Sequence, residues 1–356
     1  MSQILKQKQV SRYVKELRAG VFPIAVNWND GESPAIIQFS DGESSFGSCI
    51  RCTNPRCMQY SSDELQLNIF HEFPTDENNQ VCPTGAIEWE DDNNSPTIDS
   101  ENCIICGLCV LRCPVKAIFI NEGTAHVNDG PNDYFLESQV ISNDIVTNDT
   151  IRKFKDIKEY EIILRESDDI FRYFYDKVRQ IEKKQTAQFP NHLARNLLIA
   201  VGIDTAMRRR GDTNVRMDLI MEPVGIDHGM GEVEFGNSII DAPRNVLDDV
   251  AILVARYRIS KDTIIPFVVT FDLPNQRSEY WRVIKDVRKV LGLKINTITI
   301  GALLILIWNR TKVVFVDSEE FYIDTENSDL RPKLEAIIGR KLNLSSGYPG
   351  QLESPK

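Results

Sequence analysis

Apolar residues recur every three or four positions over 151–184, 191–203, 240–257 and 277–291, a spacing that predicts amphipathic helices, with a last short helix over 332–338. Between these stretches, shorter runs that alternate or stay apolar predict strands over 215–221, 230–235, 264–271, 297–308 and 312–316. Strands alternating with helices imply a mixed α/β sheet flanked by helices. The most apolar stretch, Ile295 to Trp308, is too short to span a bilayer and is interrupted by Asn296 and two threonines. It reads as a buried strand, and no membrane insertion is expected. Tyr280 and Trp281, on a predicted helix, are expected in the core.

The N-terminal part is patterned differently. A helix-like piece over 10–17 and strand-like runs over 22–28 and 35–39, separated by Asn-Asp-Gly turn chemistry, are expected to cap the segment after them. Residues 122–149 turn polar and rich in Asn, Asp and Gly, the composition of a linker. The expected organisation is therefore an N-terminal domain over 1–125, a linker over 126–150, an α/β domain over 151–345 and a flexible tail over 346–356.

Charge sharpens this division. Residues 1–149 carry 9 Lys and Arg against 22 Asp and Glu, whereas residues 150–356 carry 32 against 30. An acidic N-terminal half repels nucleic acid, so any duplex is expected on the C-terminal domain alone. The start MSQILKQKQV is charged and lacks the apolar run of a secretory signal, which points to a reducing cytosol rather than a disulfide framework. No P-loop, Gly-rich dinucleotide turn or Ser-His-Asp arrangement is present.

All eight cysteines fall between Cys49 and Cys113. Cys103, Cys106, Cys109 and Cys113-Pro114 are spaced C-x2-C-x2-C-x3-C-P, while Cys49, Cys52 and Cys57 form a looser C-x2-C-x4-C. After a further 24 residues comes Cys82-Pro83, and the segments CysProThrGlyAlaIle at 82–87 and CysProValLysAlaIle at 113–118 repeat each other. Thiolates are soft, electron-rich donors suited to mixed-valence iron, and short CxxC loops aim several of them at one cube face. Structural zinc or unligated thiols explain neither the repeat nor both Cys-Pro elements.

This region, and the segment 97–109 above all, resembles the bacterial two-cluster ferredoxins. The resemblance implies two 4Fe-4S clusters with crossed ligation: Cys49, Cys52, Cys57 and Cys113 on one, Cys103, Cys106, Cys109 and Cys82 on the other. The x4 spacing before Cys57 and the insertion over 58–81 depart from the family in the first run.

A second constellation lies on the predicted strand pair. Glu232 and Glu234 are two apart and share a strand face, and a turn of about ten residues brings Asp218 of the preceding strand beside them. Converging carboxylates are oxygen ligands suited to Mg2+, which holds a phosphate and activates water. An acidic solvent face would explain the same pattern, although Asp218 and the Glu pair are flanked by glycines and apolar residues rather than lysines.

Asp, a hairpin, Glu-X-Glu, Phe-Gly-Asn and a long helix are similar to the PD-(D/E)XK nucleases, in the restriction-endonuclease branch where Glu replaces the final Lys. That resemblance implies Asp218 and Glu232 as metal ligands and Glu234 as general base or water-orienting group, with an extra acidic residue among Glu166, Glu182 and Asp204. The basic run Arg208, Arg209 and Arg210, with Arg195 and Arg216 nearby, would meet phosphates. His228, in the predicted hairpin loop, reads more simply as a surface turn residue.

The expectation is thus a ferredoxin-like α+β module and, after it, a restriction-endonuclease-like α/β domain. Its expected activity is Mg2+-dependent DNA cleavage in a genome-defence setting, with clusters that structure or redox-gate it, and a homodimer is compatible. The rival readings are a ferredoxin-type electron-transfer subunit docking a redox partner and a non-catalytic adaptor binding DNA or protein.

Overall fold

The computed structural model describes residues 49, 52, 54–65, 67, 78–92, 95–113, 117–121, 123–127, 162–208, 217–223, 228–315, 319–345, 348 and 350–356. The elements expected over 10–39, nearly all of the linker, and residues 151–161 lie outside the described residues. The chain forms two compact units, one drawn from residues 1–59 and 85–164 and the other from 60–84 and 165–356. The insertion between Cys57 and Cys82 therefore belongs almost wholly to the second unit.

The first unit holds two β-hairpins, each of which begins at the isoleucine that ends a Cys-Pro repeat. Ile87, the last residue of the first repeat, opens β1 (Ile87–Glu90), which pairs antiparallel with β2 (Ser95–Ile98). A short helix, α1 (Leu108–Arg112), precedes the second repeat. Ile118, which ends that repeat, opens β3 (Ile118–Asn121), paired antiparallel with β4 (Thr124–Val127). The sequence repeat is thus a structural one, with a buried Ala-Ile step at the head of each hairpin.

The second unit is built on α2 (Asp168–Glu182), α3 (Phe189–Ala200) and a five-stranded sheet. The strands are β5 (Ile203–Met207), β6 (Leu219–Pro223), β7 (His228–Glu234), β8 (Ile264–Thr270) and β9 (Asn296–Thr299), lying side by side in that order. β5, β6 and β7 pair antiparallel, as short connections allow. β7, β8 and β9 are parallel and need crossovers, supplied by α4 (Ala242–Tyr257) and α5 (Glu279–Leu291). β8 is buried along its whole length, the signature of a central parallel strand covered on both faces. Ser167 and Ser278 cap α2 and α5 by accepting backbone N–H bonds from Ile170 and Tyr280. Tyr280 and Trp281 are fully buried, as their pattern predicts.

The helix expected over 151–184 starts only at Asp168, where Ser167 caps it, and residues 162–167 are not helical; other elements differ from the sequence expectation as well. The strand expected over 297–308 is a strand only to Thr299, where the Thr299 hydroxyl accepts from Ala302 N and starts α6 (Ile300–Trp308). All nine residues of α6 are buried, so it carries no polar face and no 3.6-residue period to betray it. The strand expected from Lys312 is an irregular segment through Phe315, tied by Val313 N to Val201 O at 2.8 Å. β5 is hidden in the sequence because its first residue, Ile203, completes the apolar period of α3.

The segment 350–356, expected to be a loose tail, is packed into the second unit. Leu352 is fully buried, Leu273 N donates to Gly350 O, Leu330 N donates to Leu352 O, and Gln351 Nε2 donates to Phe271 O at 2.9 Å. A Cβ on Gly301 would meet Gln351 at 2.6 Å, so glycine is what lets this segment approach α6. A last helix, α7 (Arg331–Ile338), precedes it. Among the described residues no helix is long and apolar enough to cross a membrane.

Glu166 is a deeply buried member of an ion pair, with no exposed side-chain surface. Arg340 grips both its oxygens, at 2.6 and 2.7 Å, and Asn343 N donates to it at 3.0 Å, so its carboxyl stays below the usual carboxylate range despite burial. Removing one partner strands the other in low dielectric. Arg340→Ala is expected to lower stability by about 3 kcal/mol, read as a shift in the urea midpoint at neutral pH.

Candidate functional site

The first-run cysteines are held in a tight loop. Cys52 N donates to Cys49 O at 2.8 Å, and Cys49, Cys52 and Cys57 are all buried. Arg112, at the end of α1, clips this loop by donating from Nε to Arg56 O at 2.9 Å. The Cys57 thiol is pushed up to about 12, first by burial and then by the Cys113 and Cys52 sulfurs beside it. Cys113 is 56 residues away in sequence, so the fold brings together sulfurs that the crossed ligation of the ferredoxin resemblance puts on one cube. Crowded thiols in an apolar pocket cannot all ionise against one another, whereas iron replaces their protons and neutralises the charge. The donor set fits a cluster on that ground.

Around the second run the backbone wraps the sulfurs. Ile105 and Gly107 sit at φ +49° and +80°, and this left-handed bend turns Ile105 N towards Cys103 Sγ at 3.4 Å. Ala117 N donates to Cys113 Sγ at 3.1 Å. Such N–H···S bonds stabilise the more negative, reduced state of a cluster. Cys103 and Cys109 are partly exposed, and Cys82 Sγ lies 3.4 Å from Thr84 Oγ1. None of the eight cysteines is in a disulfide. Among the described residues no group of three or more His, Cys, Asp or Glu side chains closes around an ion-sized space, and this holds for cysteines and carboxylates alike.

The peptide before Cys82 is held by buried polar side chains of α3. Asn196 Nδ2 donates to Gln80 O and to Val81 O, both at 2.9 Å, and Arg195 Nη1 donates to Asn78 O at 2.8 Å. His192 Nε2 stands 3.0 Å from Gln80 O; a carbonyl only accepts, so this nitrogen carries the proton and Nδ1 accepts from Asn78 Nδ2 at 3.3 Å. Burial first, then Arg195, lowers this imidazole to about 4, consistent with the neutral ring that arrangement requires. Arg195 is fully buried and belongs to this contact rather than to the basic surface expected of it. Its role is illegible in sequence because its partners are backbone carbonyls.

The carboxylates form a second cluster of groups. Asp218, expected within a strand over 215–221, lies just before β6, and the register that pairs Leu219 with Gly231, carried one residue on, sets it across from Glu232. Asp218 is raised above the ordinary Asp range by burial, partly offset by Val233 N at 3.2 Å, by Arg208 at 3.4 Å and by a hydrogen bond from the Asn191 side chain of α3. Glu232 is raised to about 7, first by burial and then by Asp218; Asn245 of α4 donates to its Oε1 at 2.9 Å, and Asp249 and Glu234 push it further up. Glu234 is half-buried and turns one oxygen to Gly236 N at 2.7 Å.

The upstream acids do not join this pair: Glu166 holds Arg340, Glu182 holds Arg179 at 3.2 Å, and Asp204 stands opposite Glu222 across β5 and β6. α3 supplies an amide, Asn191, in their stead. Sequence reasoning missed Asn245 and Asp249, one turn apart on α4, although their four-residue spacing is a readable helical-face signal. Arg208 pairs with Asp218 at 3.4 Å while its side chain stays 40% exposed, and Arg209, Arg210 and Arg216 lie outside the described residues. His228 is the first residue of β7 rather than part of the hairpin loop.

Comparison with known proteins resolves the cysteine region. A family model described as a 4Fe-4S dicluster domain matches residues 79–117, which hold Cys82, Cys103, Cys106, Cys109 and Cys113. The chain carries a 4Fe-4S dicluster domain. With eight cysteines it has the ligands for two 4Fe-4S clusters, and it is an iron-sulfur, ferredoxin-like protein. An uncharacterized ferredoxin of Methanocaldococcus jannaschii is 45% identical over 47 residues, 13% of this chain and 30% of that protein. The polyferredoxin-like subunit of an aliphatic sulfonate oxidoreductase of Pyrococcus furiosus is 38% identical over 47 residues, 13% of this chain and 27% of that subunit. An uncharacterized ferredoxin-like protein of Escherichia coli K12 is 28% identical over 74 residues, 21% of this chain and 26% of that protein. The chain thus spans under a third of the length of these relatives. No solved structure matches the chain, and no match identifies the C-terminal domain as a nuclease.

The raised Glu232 gives a pH signature. Its proton is held more tightly in the folded chain than in the unfolded one, where the carboxyl ionises near 4.5. The stability it contributes is full below about that pH and is lost as pH rises through about 7. Glu232→Gln removes the loss, so the variant is expected to melt above the native protein at about pH 8, the gap closing by about pH 5. Thermal melts across that range test this; a gap independent of pH would exclude titration of Glu232.

Proposed function

We propose that this protein is a ferredoxin-type electron-transfer protein, its two clusters held by Cys49, Cys52, Cys57 and Cys113 and by Cys103, Cys106, Cys109 and Cys82. The observation that carries the reading is that Cys52, Cys57 and Cys113 are all buried and near enough for the first and last to raise the Cys57 thiol, within a chain matched by a dicluster model. When bound, the cubes supply a site that gains and loses one electron each with little rearrangement. The chain's own part is to bury the sulfurs, to aim Ile105 N and Ala117 N at two of them, and to keep water away from the first-run loop. The sulfonate oxidoreductase subunit of Pyrococcus furiosus is a relative named as part of a redox enzyme, which supports the same direction.

Anaerobically purified protein is expected to contain two clusters' worth of iron and sulfide and to be reduced and reoxidised reversibly in a spectroelectrochemical cell. Cys106→Ser is expected to remove the signal of one cluster and spare the other. Clusters that break down irreversibly on reduction, or that resist every potential accessible in water, would overturn the electron-transfer reading.

A second reading is favoured by one observation, the half-buried facing pair of Asp218 and Glu232 with Glu234 adjoining it. We infer a Mg2+-dependent phosphodiester hydrolase there, with DNA as substrate, Asp218 and Glu232 as ligands and Glu234 orienting water, the clusters then being structural or redox-gating. Two carboxylates that repel each other and lack water gain most from a divalent cation. With Mg2+, plasmid cleavage is expected from the purified protein, falling by at least about a hundredfold in Asp218→Asn and Glu232→Gln while the cluster absorbance stays unchanged. Cleavage that survives both substitutions excludes the site.

A further inference from the structure

The strongest unexplained feature is the polar cluster on α3. Helix interiors that face a core are apolar because an unpaired polar group there is costly, yet α3 places His192, Arg195 and Asn196 side by side with exposures of 5%, 0% and 0%. Their hydrogen bonds converge on three carbonyls of one short segment, those of Asn78, Gln80 and Val81, the last immediately before Cys82. The Tyr60 ring lies 6.0 Å from the Arg195 guanidinium, and Arg195 Nε in turn donates to Asn196 Oδ1 at 2.9 Å, which fixes the amide with its nitrogen towards the carbonyls. On the far side of Cys82, Gln185 Nε2 donates to Thr84 O at 3.3 Å. Cys82 is therefore bracketed: the backbone before it and the backbone after it are both held by side chains of the second unit.

We propose that Asn196, seconded by Gln185, is a positioning residue for the cluster ligand Cys82, so that retention of the cluster ligated by Cys82 depends on α3. The inference deepens the two-cluster reading and rests on the assignment of Cys82 as a ligand. Its physical basis is a missing short-range anchor. In the second run, three cysteines share one tight loop and hold one another in place, whereas Cys82 comes after a 24-residue insertion and gains no rigidity from its own run. The Asn196 amide and the Gln185 amide supply that rigidity by fixing carbonyls on both sides of the ligand. Preorganised ligands release metal slowly because leaving does not gain them conformational freedom.

The test uses the full chain, loaded anaerobically. Asn196→Asp keeps the shape and the acceptor for Arg195 Nε but removes both donors to Gln80 O and Val81 O. Gln185→Ala, at a half-buried position, removes the other bracket with little risk to the core. Iron release to a chelator and the integrated EPR signal of the reduced protein are followed, with near-UV circular dichroism reporting the C-terminal fold. In native protein both clusters are expected to be retained; in Asn196→Asp one is expected to leave about tenfold faster or more while the other keeps its native rate, with a smaller acceleration of the same phase in Gln185→Ala. Cys82→Ala is expected to abolish that same phase, and Cys49→Ala the other. Folded variants that release both clusters at the native rate, or equal acceleration of both phases, would overturn the positioning role. If Asn196→Asp does not fold, the Gln185→Ala phase decides. Native protein that loads fewer than two clusters would instead sink the two-cluster reading itself.

Discussion

A polar side chain taken out of water must find a partner or destabilise the fold, and α3 satisfies that constraint in a way that orders much of the second unit. His192, Arg195 and Asn196 form a buried group whose partners are backbone carbonyls of the segment leading to Cys82. One position earlier in the same helix, the Asn191 amide favours the charged form of Asp218. A single rigid element thus holds both the peptide before a cluster ligand and one of the two facing carboxylates. The bonds to the peptide before Cys82 are each stronger in a low-dielectric interior than at the surface.

Short-range spacing is the part of this structure that the sequence displays openly. The cysteine runs and their Cys-Pro repeats are followed by a pair of hairpins that begin at Ile87 and Ile118, and the amphipathic helices α4 and α5 lie close to their expected positions because each has one polar face, whereas α2 fills only the C-terminal part of the stretch expected over 151–184. The pairing of Asp218 with Glu232 comes from alternation on two neighbouring strands. Contacts distant in sequence are the part that stays hidden. α6 is surrounded on all sides by core and so has no period, 350–356 is fixed by partners some 80 residues away such as Phe271, and the residues around Cys82 are set by a helix more than 100 positions downstream. Polar composition suggests mobility for 346–356, but Leu352 and the amide of Gln351 find partners that composition does not report.

The two carboxylates illustrate how burial sets chemistry. In water Asp218 and Glu232 would both be ionised at neutral pH; half-buried and facing each other, they favour sharing a proton or admitting a cation. Asn191, Asn245 and Val233 N oppose that drift by donating hydrogen bonds to the charged forms. Arg208 adds a positive charge at 3.4 Å, which also favours the charged form of Asp218. The outcome is a pair of carboxyls both raised above their ordinary range, Glu232 to about 7, a shift produced by burial and neighbours rather than by residue type alone.

Near and distant charges compete around the cysteines as well. The N-terminal half is strongly acidic, and its net charge by itself disfavours adding electrons to a cluster. Some of those carboxylates, however, are solvated and locally paired: Asp99 accepts from Glu101 N and Asn102 Nδ2 at the surface. Exposed charges farther away than a Debye length of about 10 Å are largely screened. The dipoles of Ile105 N–H and Ala117 N–H act on sulfur in direct contact, at 3.4 and 3.1 Å, so per group they outweigh a solvated carboxylate. Local backbone geometry, above all the left-handed bend at Ile105 and Gly107, therefore counts for more in setting how readily these sulfurs carry charge than the acidity of the domain around them.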